Sequence, residues 1–401
     1  MSEHHALDSV YNQKLARTHT EFSVLNDVYA LDTVSFETDV SKAFFDYTKE
    51  RKFFVLLAIF DATGRILLKR TVDPMGWELP GGSIRRNETT YEAAVRIVHN
   101  AIPALPLGEI EPVAQVCNTF KHDGQVHTHD GVALLVRKRG HGDVDPEHEL
   151  RFVDCTQPEI DAINRFANKR VVEIAKKRIS EFDLERQDNE IEANEAARWR
   201  YILHNKLIKR TLLTSSRKRN HDRDAIYFQQ VQGCERILDV SAGDSSLANR
   251  LIHHEPSITA FFANDISWSQ LQLAQSDHPK IFYSNHDAVY LPFKGKSFDL
   301  GICANTLHHL RSREHVLRLL SSMDRVCKSM FFWEIDDPKK DSIIPKILNK
   351  YLYESFLGDQ GFAYFDENQF AKLMNGVFRD RQLQFGRFTN VQGTYNYVRI
   401  D

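Results

Sequence analysis

The sequence is poor in cysteine, and it lacks any hydrophobic run long enough to cross a membrane. Its five cysteines are odd in number and widely scattered, which fits reduced thiols better than a disulfide framework or a zinc knuckle. A membrane span needs about 20 consecutive apolar residues, and none is present. The first residues also lack the basic and apolar regions of a signal peptide. We therefore expect a soluble, cytoplasmic protein with reduced thiols and no membrane partner.

The sequence also has no large excess of positive or negative charge. The 52 Lys and Arg residues nearly balance the 55 Asp and Glu residues, so the net charge favours neither nucleic acid nor acidic surfaces. The segment from Lys206 to Arg223 is locally basic and is a candidate for binding nucleic acid or a phosphorylated substrate. No RNA-binding motif accompanies it, and a solvated connector is the favoured interpretation. Nothing in the sequence indicates an oligomeric state.

Length and patterning indicate two domains. A chain of 401 residues with 42% hydrophobic residues exceeds one ordinary domain and has enough apolar material for two cores. In the first half, apolar runs and turn residues predict a hairpin, two further strands and a long amphipathic helix. These elements are expected at 53–60 with 65–69, at 112–120 and 131–138, and from Gln157 to Phe182. A highly charged stretch with helical periodicity follows.

The second half alternates short strands with helical stretches, which is typical of a mostly parallel α/β sheet. The strands are expected at 236–240, 258–264, 281–284, 298–303 and 329–334. We therefore predict an N-terminal extension (1–49), a first domain (50–182), a charged helical connector (183–225) and a second domain (226–401).

A loop of small residues joins the first of these strands to a helix expected to begin near Leu247. The sequence from Asp239 to Ser245 is Asp-Val-Ser-Ala-Gly-Asp-Ser. Small residues at such a junction let a ligand approach the backbone, and the helix N-terminus and loop amides offer hydrogen-bond donors. The segment resembles motif I of class I methyltransferases, in which an acidic residue precedes alternating glycines. Of those glycines only Gly243 remains.

The ends of the following strands extend the resemblance. Asp265 follows the second strand, where a carboxylate accepts both ribose hydroxyls of the cofactor, and Asp287 follows the third, where the family binds the adenine amino group. The stretch from Leu291 to Leu310 closely resembles the fourth-strand signature of small-molecule methyltransferases. The resemblance implies a Rossmann-like seven-stranded sheet whose last strand is antiparallel, and S-adenosylmethionine as cofactor. The cofactor-binding residues that it implies are Asp239, Ser241, Ala242, Gly243, Asp265, Ile266, Asp287, Ala288 and Asn305.

Three residues are candidates for catalysis. His308 and His309 stand where a base would act on a protonated acceptor, and histidine is poised near neutral pH; the alternative is that the pair is structural. Glu334, in the segment Glu-Ile-Asp-Asp337, is a candidate for orienting an acceptor, and a solvated strand end is the favoured alternative. The aromatic residues between Pro338 and Phe370 are expected to cover the acceptor site or to pack in a core.

The first domain contains Gly76-Trp-Glu-Leu-Pro-Gly-Gly82, which resembles the approach to the Nudix box and implies an α+β Nudix-like fold. Gly82, Glu88 and Arg96 fall in register with that box. The three core glutamates, which hold magnesium against a diphosphate, are replaced by Ile97, Asn100 and Ala101, and Ile and Ala cannot coordinate a hard cation. Replacement ligands for Mg²⁺ or Mn²⁺ would be Glu88, Glu92 and His99, together with His127, His129 and Asp130 on a nearby predicted strand or loop. A solvated surface is the favoured alternative for Glu88, Glu92 and His99. Recognition of a phosphorylated ligand, or a structural platform, is the favoured role of this domain.

The leading hypothesis is therefore an S-adenosylmethionine-dependent methyltransferase acting on a small metabolite, with phosphorylated or nucleotide-linked compounds among the candidates. One alternative is a nucleoside diphosphate hydrolase of the Nudix type with atypical metal ligands. Another is a non-catalytic regulatory protein that binds cofactor or nucleotide, suggested by the altered Nudix core and by the serines in motif I.

Overall fold

The structure is a computed structural model that describes residues 21–48, 53–61, 63–72, 75–85, 88–101, 107–138, 150–163, 166–182, 221–243, 245–266, 271, 278–310, 312–337, 364–390 and 393–401. The chain divides into two compact units, residues 1–186 and 187–401, and each is described by itself. The predicted helical connector lies outside the described residues as far as position 220. No helix in the described part of the chain is long and apolar enough to cross a membrane.

The first unit is built on an eight-stranded mixed sheet. Its strands run in the order β1-β6-β7-β2-β3-β4, with β5 paired to β2 and β8 paired to β3. The strands are β1 (Asp32–Asp39), β2 (Phe53–Phe60), β3 (Ile66–Val72), β4 (Met75–Glu78), β5 (Gly81–Ser83), β6 (Leu107–His122), β7 (Gln125–Lys138) and β8 (Leu150–Val153). The helices are α1 (residues 21–28), α2 (Lys42–Thr48), α3 (Thr90–Ala101), α4 (Gln157–Asp161) and α5 (Phe166–Phe182).

The predicted hairpin is confirmed, and its turn is held by one side chain. Oδ1 of Asp61 accepts hydrogen bonds from the backbone N–H groups of Thr63 and Arg65, both at 2.9 Å. Phe60 and Ile66 pair across the two strands. The two later strands are also present but are longer than predicted, because β6 and β7 form one extended antiparallel ribbon.

The long helix predicted from Gln157 to Phe182 is wrong as a single element. Helix α4 ends at Asp161, and Ile163 forms an isolated bridge with Trp77. Helical periodicity continues through this segment, but a backbone pairing with β4 removes Ile163 from the helical ladder. The second piece, α5, buries Val172 and Ala175 in the same apolar cluster as Ala58 and Leu68 of the sheet.

The second unit contains a seven-stranded sheet with the strand order β11-β10-β9-β12-β13-β15-β14. The strands are β9 (Arg236–Val240), β10 (Ala260–Asn264), β11 (Ile281–Ser284), β12 (Phe298–Ala304), β13 (Cys327–Ile335), β14 (Leu383–Asn390) and β15 (Gly393–Ile400). The helices are α6 (His221–Gln230), α7 (Ser246–His254), α8 (Arg313–Val326) and α9 (Glu367–Val377), with a 3₁₀ turn at Leu307–His309.

The predicted seven-stranded sheet is confirmed. Strands β9 to β13 are parallel, and β15 runs antiparallel to both of its neighbours, β13 and β14. Every residue of β10 is buried, as expected for a parallel strand covered on both faces. The carboxyl ends of β9, β10, β11, β12 and β13 consequently meet along one edge of the sheet, where ligands of open α/β sheets bind.

Candidate functional site

The loop after β9 has a tightly turned backbone. Ser241, Gly243 and Ser245 have φ angles of 60°, 54° and 49°, in the left-handed region that serine rarely adopts. The backbone N–H of Ala242 donates to the carbonyl of Asn264 at 2.9 Å, so the loop folds back on the end of β10. Left-handed backbone at non-glycine residues costs free energy and tends to occur at functional sites.

Asp265 connects this loop to the second strand. Its Oδ2 accepts a hydrogen bond from the backbone N–H of Gly243 at 2.9 Å, and the residue is only 7% exposed. Asp239, at the end of β9, is likewise buried. The two predicted cofactor carboxylates therefore lie on neighbouring parallel strands, at the edge where those strands end.

Asn264 and Asn285, which the sequence analysis did not single out, form hydrogen bonds between the ends of β10 and β11. Asn264 donates to the carbonyl of His286 at 3.0 Å and accepts from the backbone N–H of His286 and the hydroxyl of Ser284. Asn285 donates to the carbonyls of Asp265 and Ile266 at 2.7 and 2.9 Å. Both asparagines are fully buried. The only signal in the sequence is an asparagine directly after or at the end of an apolar strand, which is too common to be informative.

The remaining predicted cofactor residues lie at the same edge. Oδ1 of Asp287 accepts from the backbone N–H of Val289 at 3.0 Å, and Ala288 beside it is buried. Asn305, after β12, has a φ of 53° and donates its backbone N–H to the carbonyl of Trp333. The structure thus brings together residues from the ends of four strands.

These residues fit S-adenosylmethionine. Asp265 is a carboxylate suited to a ribose diol, and the left-handed loop brings backbone N–H groups of small residues to the start of α7, where donors are available. The hydroxyl oxygen of Ser245 at this helix start is buried and, among the described residues, has no hydrogen-bond partner. A buried polar atom without a partner is rare unless a ligand or water completes it.

His308 and Glu334 form a buried pair beside this edge. Oε1 of Glu334 lies 2.5 Å from Nδ1 of His308, and their side chains are 2% and 6% exposed, respectively. Glu334 also accepts from the backbone N–H groups of Leu307 and Ile335. Burial acts to raise the pKa of Glu334, but attraction to His308 and these hydrogen bonds outweigh it and hold the pKa below its ordinary value. The prediction of a solvated strand end is therefore wrong for Glu334.

The ring of His308 is held by its neighbours. It stacks on Tyr364 with ring centroids 5.3 Å apart, and the ring of His309 lies 4.0 Å away. Tyr364 belongs to the aromatic segment predicted to cover the acceptor site, and Phe370 from the same segment is buried in the core. Tyr351, Tyr353, Phe356 and Phe362 lie outside the described residues.

The candidate metal ligands of the first unit, Glu88, Glu92 and His99, do not converge on one site. Glu88 pairs with Arg96 and accepts from the backbone N–H of Arg85. Burial acts to raise the pKa of Glu88, but these partners outweigh it and lower the pKa. Glu92 instead caps α3, because its Oε2 accepts from the backbone N–H of Thr89 at 2.7 Å while Thr89 Oγ1 accepts from the Glu92 N–H. His99 is exposed at the last turn of the helix.

His127 and His129 on β7 lie among aromatic rings, with Phe45 4.3 Å from His127 and Phe120 4.9 Å from His129 between ring centroids. Within the described ranges no group of three or more His, Cys, Asp or Glu residues is arranged to hold a metal ion. Glu88, Glu92 and His99, the candidate ligands, therefore do not form a magnesium site in the part of the chain that the structure describes.

Comparisons with known proteins agree with this division. The family model described as a methyltransferase domain matches residues 237–330, and the model described as a NUDIX domain matches residues 50–173. No curated protein matches the chain.

Many solved structures resemble part of the chain. Human N-acetylserotonin methyltransferase in complex with SAM is 16% identical, with 55% of this chain and 61% of that chain covered and a TM-score of 0.38. The plantazolicin methyltransferase solved with a monoazolic desmethylPZN analog and SAH is 12% identical, with 53% and 96% covered and a TM-score of 0.39. Magnesium protoporphyrin IX methyltransferase from Synechocystis with bound SAH is 15% identical, with 51% and 92% covered and a TM-score of 0.37. The chain thus spans about three fifths of the human enzyme's length.

Proposed function

Because the chain joins a NUDIX domain to a methyltransferase domain, we propose that it transfers a methyl group from S-adenosylmethionine to a small metabolite. The observation that carries the proposal is the hydrogen bond between Asp265 and the Gly243 N–H, which assembles the predicted cofactor loop and the predicted ribose carboxylate at one sheet edge. The surrounding left-handed loop and the buried Ser245 hydroxyl support it.

Methyl transfer places modest demands on the protein. S-adenosylmethionine, when bound, supplies a methyl group already activated on a sulfonium. The residues of this chain then contribute alignment, which can account for much of the acceleration of such a displacement. In this proposal Asp265 accepts the ribose hydroxyls, Asp287 accepts from the adenine, and the backbone around Ser241 to Gly243 approaches the remainder of the cofactor.

His308 is proposed as the group that removes a proton from the acceptor. The anionic carboxylate of Glu334 at Nδ1 favours the tautomer in which Nδ1 carries the hydrogen. Nε2 is then the nitrogen of the neutral ring that accepts a proton. Glu334 would stabilise the imidazolium that results and keep the ring in place, and the stacked ring of Tyr364 restricts its rotation.

We further propose that the NUDIX domain binds or supports the substrate and does not hydrolyse it. The contacts of Glu88 with Arg96 and of Glu92 with Thr89 support this role, because they commit both carboxylates to the fold. Phosphorylated or nucleotide-linked metabolites are the acceptor class we favour, since Nudix-type domains recognise diphosphates.

Transfer of radiolabelled methyl groups from S-adenosylmethionine into a small-molecule extract tests the proposal. Wild-type protein and the exposed-turn variant Asp380→Asn should label the same compounds, whereas Asp265→Asn should label them at least about tenfold more slowly, because one charged acceptor is lost. Equal labelling by Asp265→Asn, or no labelling by wild type in any extract, would count against it.

A further inference from the structure

One face of the sheet carries a row of polar residues next to the His308–Glu334 pair. Glu334 of β13 lies opposite Asn396 of β15, and Asn396 lies opposite Arg387 of β14. Directly opposite residues of antiparallel strands have Cβ atoms about 5 Å apart, so the three side chains are neighbours on the same face. On the opposite face, Trp333 stacks on Tyr397, and aromatic packing fills that side.

The charged members of this row already have hydrogen-bonding partners. Glu334 accepts from His308 and two backbone N–H groups, as described above. Arg387 donates to Oδ2 of Asp336 at 2.7 Å and to Glu367 at 3.0 Å. Asp336 is buried, only 2% exposed, at the end of β13. These pairs explain why carboxylates are tolerated there.

Asn396 differs from its neighbours. It is 3% exposed, and within the described part of the chain neither its Oδ1 nor its Nδ2 has a hydrogen-bond partner. Val398, two residues along the same face, is fully buried and lies opposite Phe332 and Phe385. Because an unpaired buried amide destabilises a fold, an apolar residue would be favoured at position 396 if only packing mattered.

We propose that Asn396 is a substrate-recognition residue of the methyltransferase site, and that the acceptor presents to it a neutral planar group with an adjacent donor and acceptor, as in an amide, a lactam or the edge of a nucleobase. The inference rests on the proposed function. An asparagine amide offers one acceptor and two donors in one plane, which pairs with such an edge through two hydrogen bonds.

The negative charge of Glu334 favours a neutral group on the acceptor. Glu334 has a lowered pKa and is therefore anionic at neutral pH, and it lies directly opposite Asn396. Glu334 would repel a carboxylate on the acceptor in this poorly solvated site, and Arg387, the other residue opposite Asn396, is already paired with Asp336 and Glu367. An acceptor held by Asn396 would also lie beside His308, where its proton is removed in the proposed reaction.

Nicotinamide and nicotinate form a matched pair of probes, since one ring carries a neutral amide and the other a carboxylate. Binding to protein saturated with S-adenosylhomocysteine is measured by ligand-observed NMR for wild type, Asn396→Leu and the exposed control Asn375→Leu. Wild type and the control should bind nicotinamide more tightly than nicotinate. Asn396→Leu should bind nicotinamide about tenfold more weakly, because two hydrogen bonds are lost. Equal nicotinamide affinities for wild type and Asn396→Leu, or no binding to wild type, would overturn the proposal.

Thermal stability and cofactor affinity distinguish substrate recognition by Asn396 from a role in folding or in cofactor binding. Asn396→Leu should raise Tm without ligand, because it removes a buried amide that has no partner among the described residues. A lower Tm would show that the amide serves the fold and would contradict the inference. The affinity for S-adenosylhomocysteine should be the same in all three proteins. If wild type fails to bind it, the proposed function falls together with the inference, whereas normal binding with equal nicotinamide affinities removes only the role of Asn396.

Discussion

Nδ1 of His308 lies 2.5 Å from Oε1 of Glu334, and this contact joins the turn after β12 to the end of β13. Both residues are buried, and the carboxylate also receives two backbone N–H groups. One pair therefore has two consequences. It stabilises the strand ends on which the site is built, and it favours the imidazole tautomer that carries its hydrogen on Nδ1.

Glu334→Ala should lower the free energy of unfolding by about 3–5 kcal/mol, because it leaves a buried imidazole and two backbone donors without their acceptor. Glu314→Ala is the matched control, since Glu314 forms an exposed pair with Arg318 within α8, and its effect should stay below about 1 kcal/mol. Urea unfolding of the three proteins measures both values. Similar effects of the two substitutions would contradict the buried pair.

The stability that Glu334 contributes should depend on pH in a defined direction. The pKa of Glu334 is lower in the folded protein than in the unfolded chain, where a glutamate has a pKa of about 4.3. The contribution is therefore complete above that value and is lost as pH falls through the lower folded pKa. The difference in unfolding free energy between wild type and Glu334→Gln should shrink as pH falls below about 4.3. A difference that is constant over this range would show that the carboxylate does not titrate as described.

Asn285→Leu should weaken the binding of S-adenosylhomocysteine by about tenfold, because the carbonyls of Asp265 and Ile266 lose their shared donor and the segment proposed to bind the ribose is no longer held. Asn375→Leu, on the surface of α9, should leave the affinity unchanged. Calorimetric titration of each variant gives the affinities. Unchanged binding by Asn285→Leu would show that the hydrogen bonds of Asn285 do not position Asp265 and Ile266 for cofactor binding.

The NUDIX domain should show no dependence on divalent metal. Millimolar Mg²⁺ or Mn²⁺ should leave Tm unchanged in wild type and in Glu88→Gln, and neither metal should support phosphate release from nucleoside diphosphate sugars, because Glu88 and Glu92 are engaged in the fold. Metal-dependent stabilisation of wild type that disappears in Glu88→Gln, or metal-dependent phosphate release, would restore the hydrolase alternative.

The sequence sufficed for the five parallel strands of the second unit, because such strands are continuous apolar runs that are easily recognised. Strands β14 and β15 were not located from the residue pattern, and only the family resemblance implied a seven-stranded sheet. The strand Ile281–Ser284 was predicted with the bounds observed, and the helix expected near Leu247 begins at Ser246. The single helix through Ile163 was wrong because its interruption depends on a pairing with Trp77, far away in the sequence.

The polar contacts of the site were largely beyond sequence reasoning. Asp265 and Asp287 follow apolar strands in a recognised order and could be singled out. The roles of Asn264 and Asn285 depend on the register between β10 and β11, and the burial of Glu334 depends on the turn after β12 packing over it. The position of Asn396 between Glu334 and Arg387 depends on the register of β13, β15 and β14. Contacts of this kind are set by tertiary structure and leave no local pattern.

The most direct test is a calorimetric titration of the full chain with S-adenosylhomocysteine, comparing wild type, Asp265→Asn and the exposed control Asp380→Asn. Asparagine at position 265 can still accept the Gly243 N–H but lacks the charge and the second oxygen that a ribose diol requires. The proposal predicts saturable binding with one site for wild type and the control, and binding weaker by about tenfold or more for Asp265→Asn. Absence of binding by wild type, or equal affinities for wild type and Asp265→Asn, would contradict it.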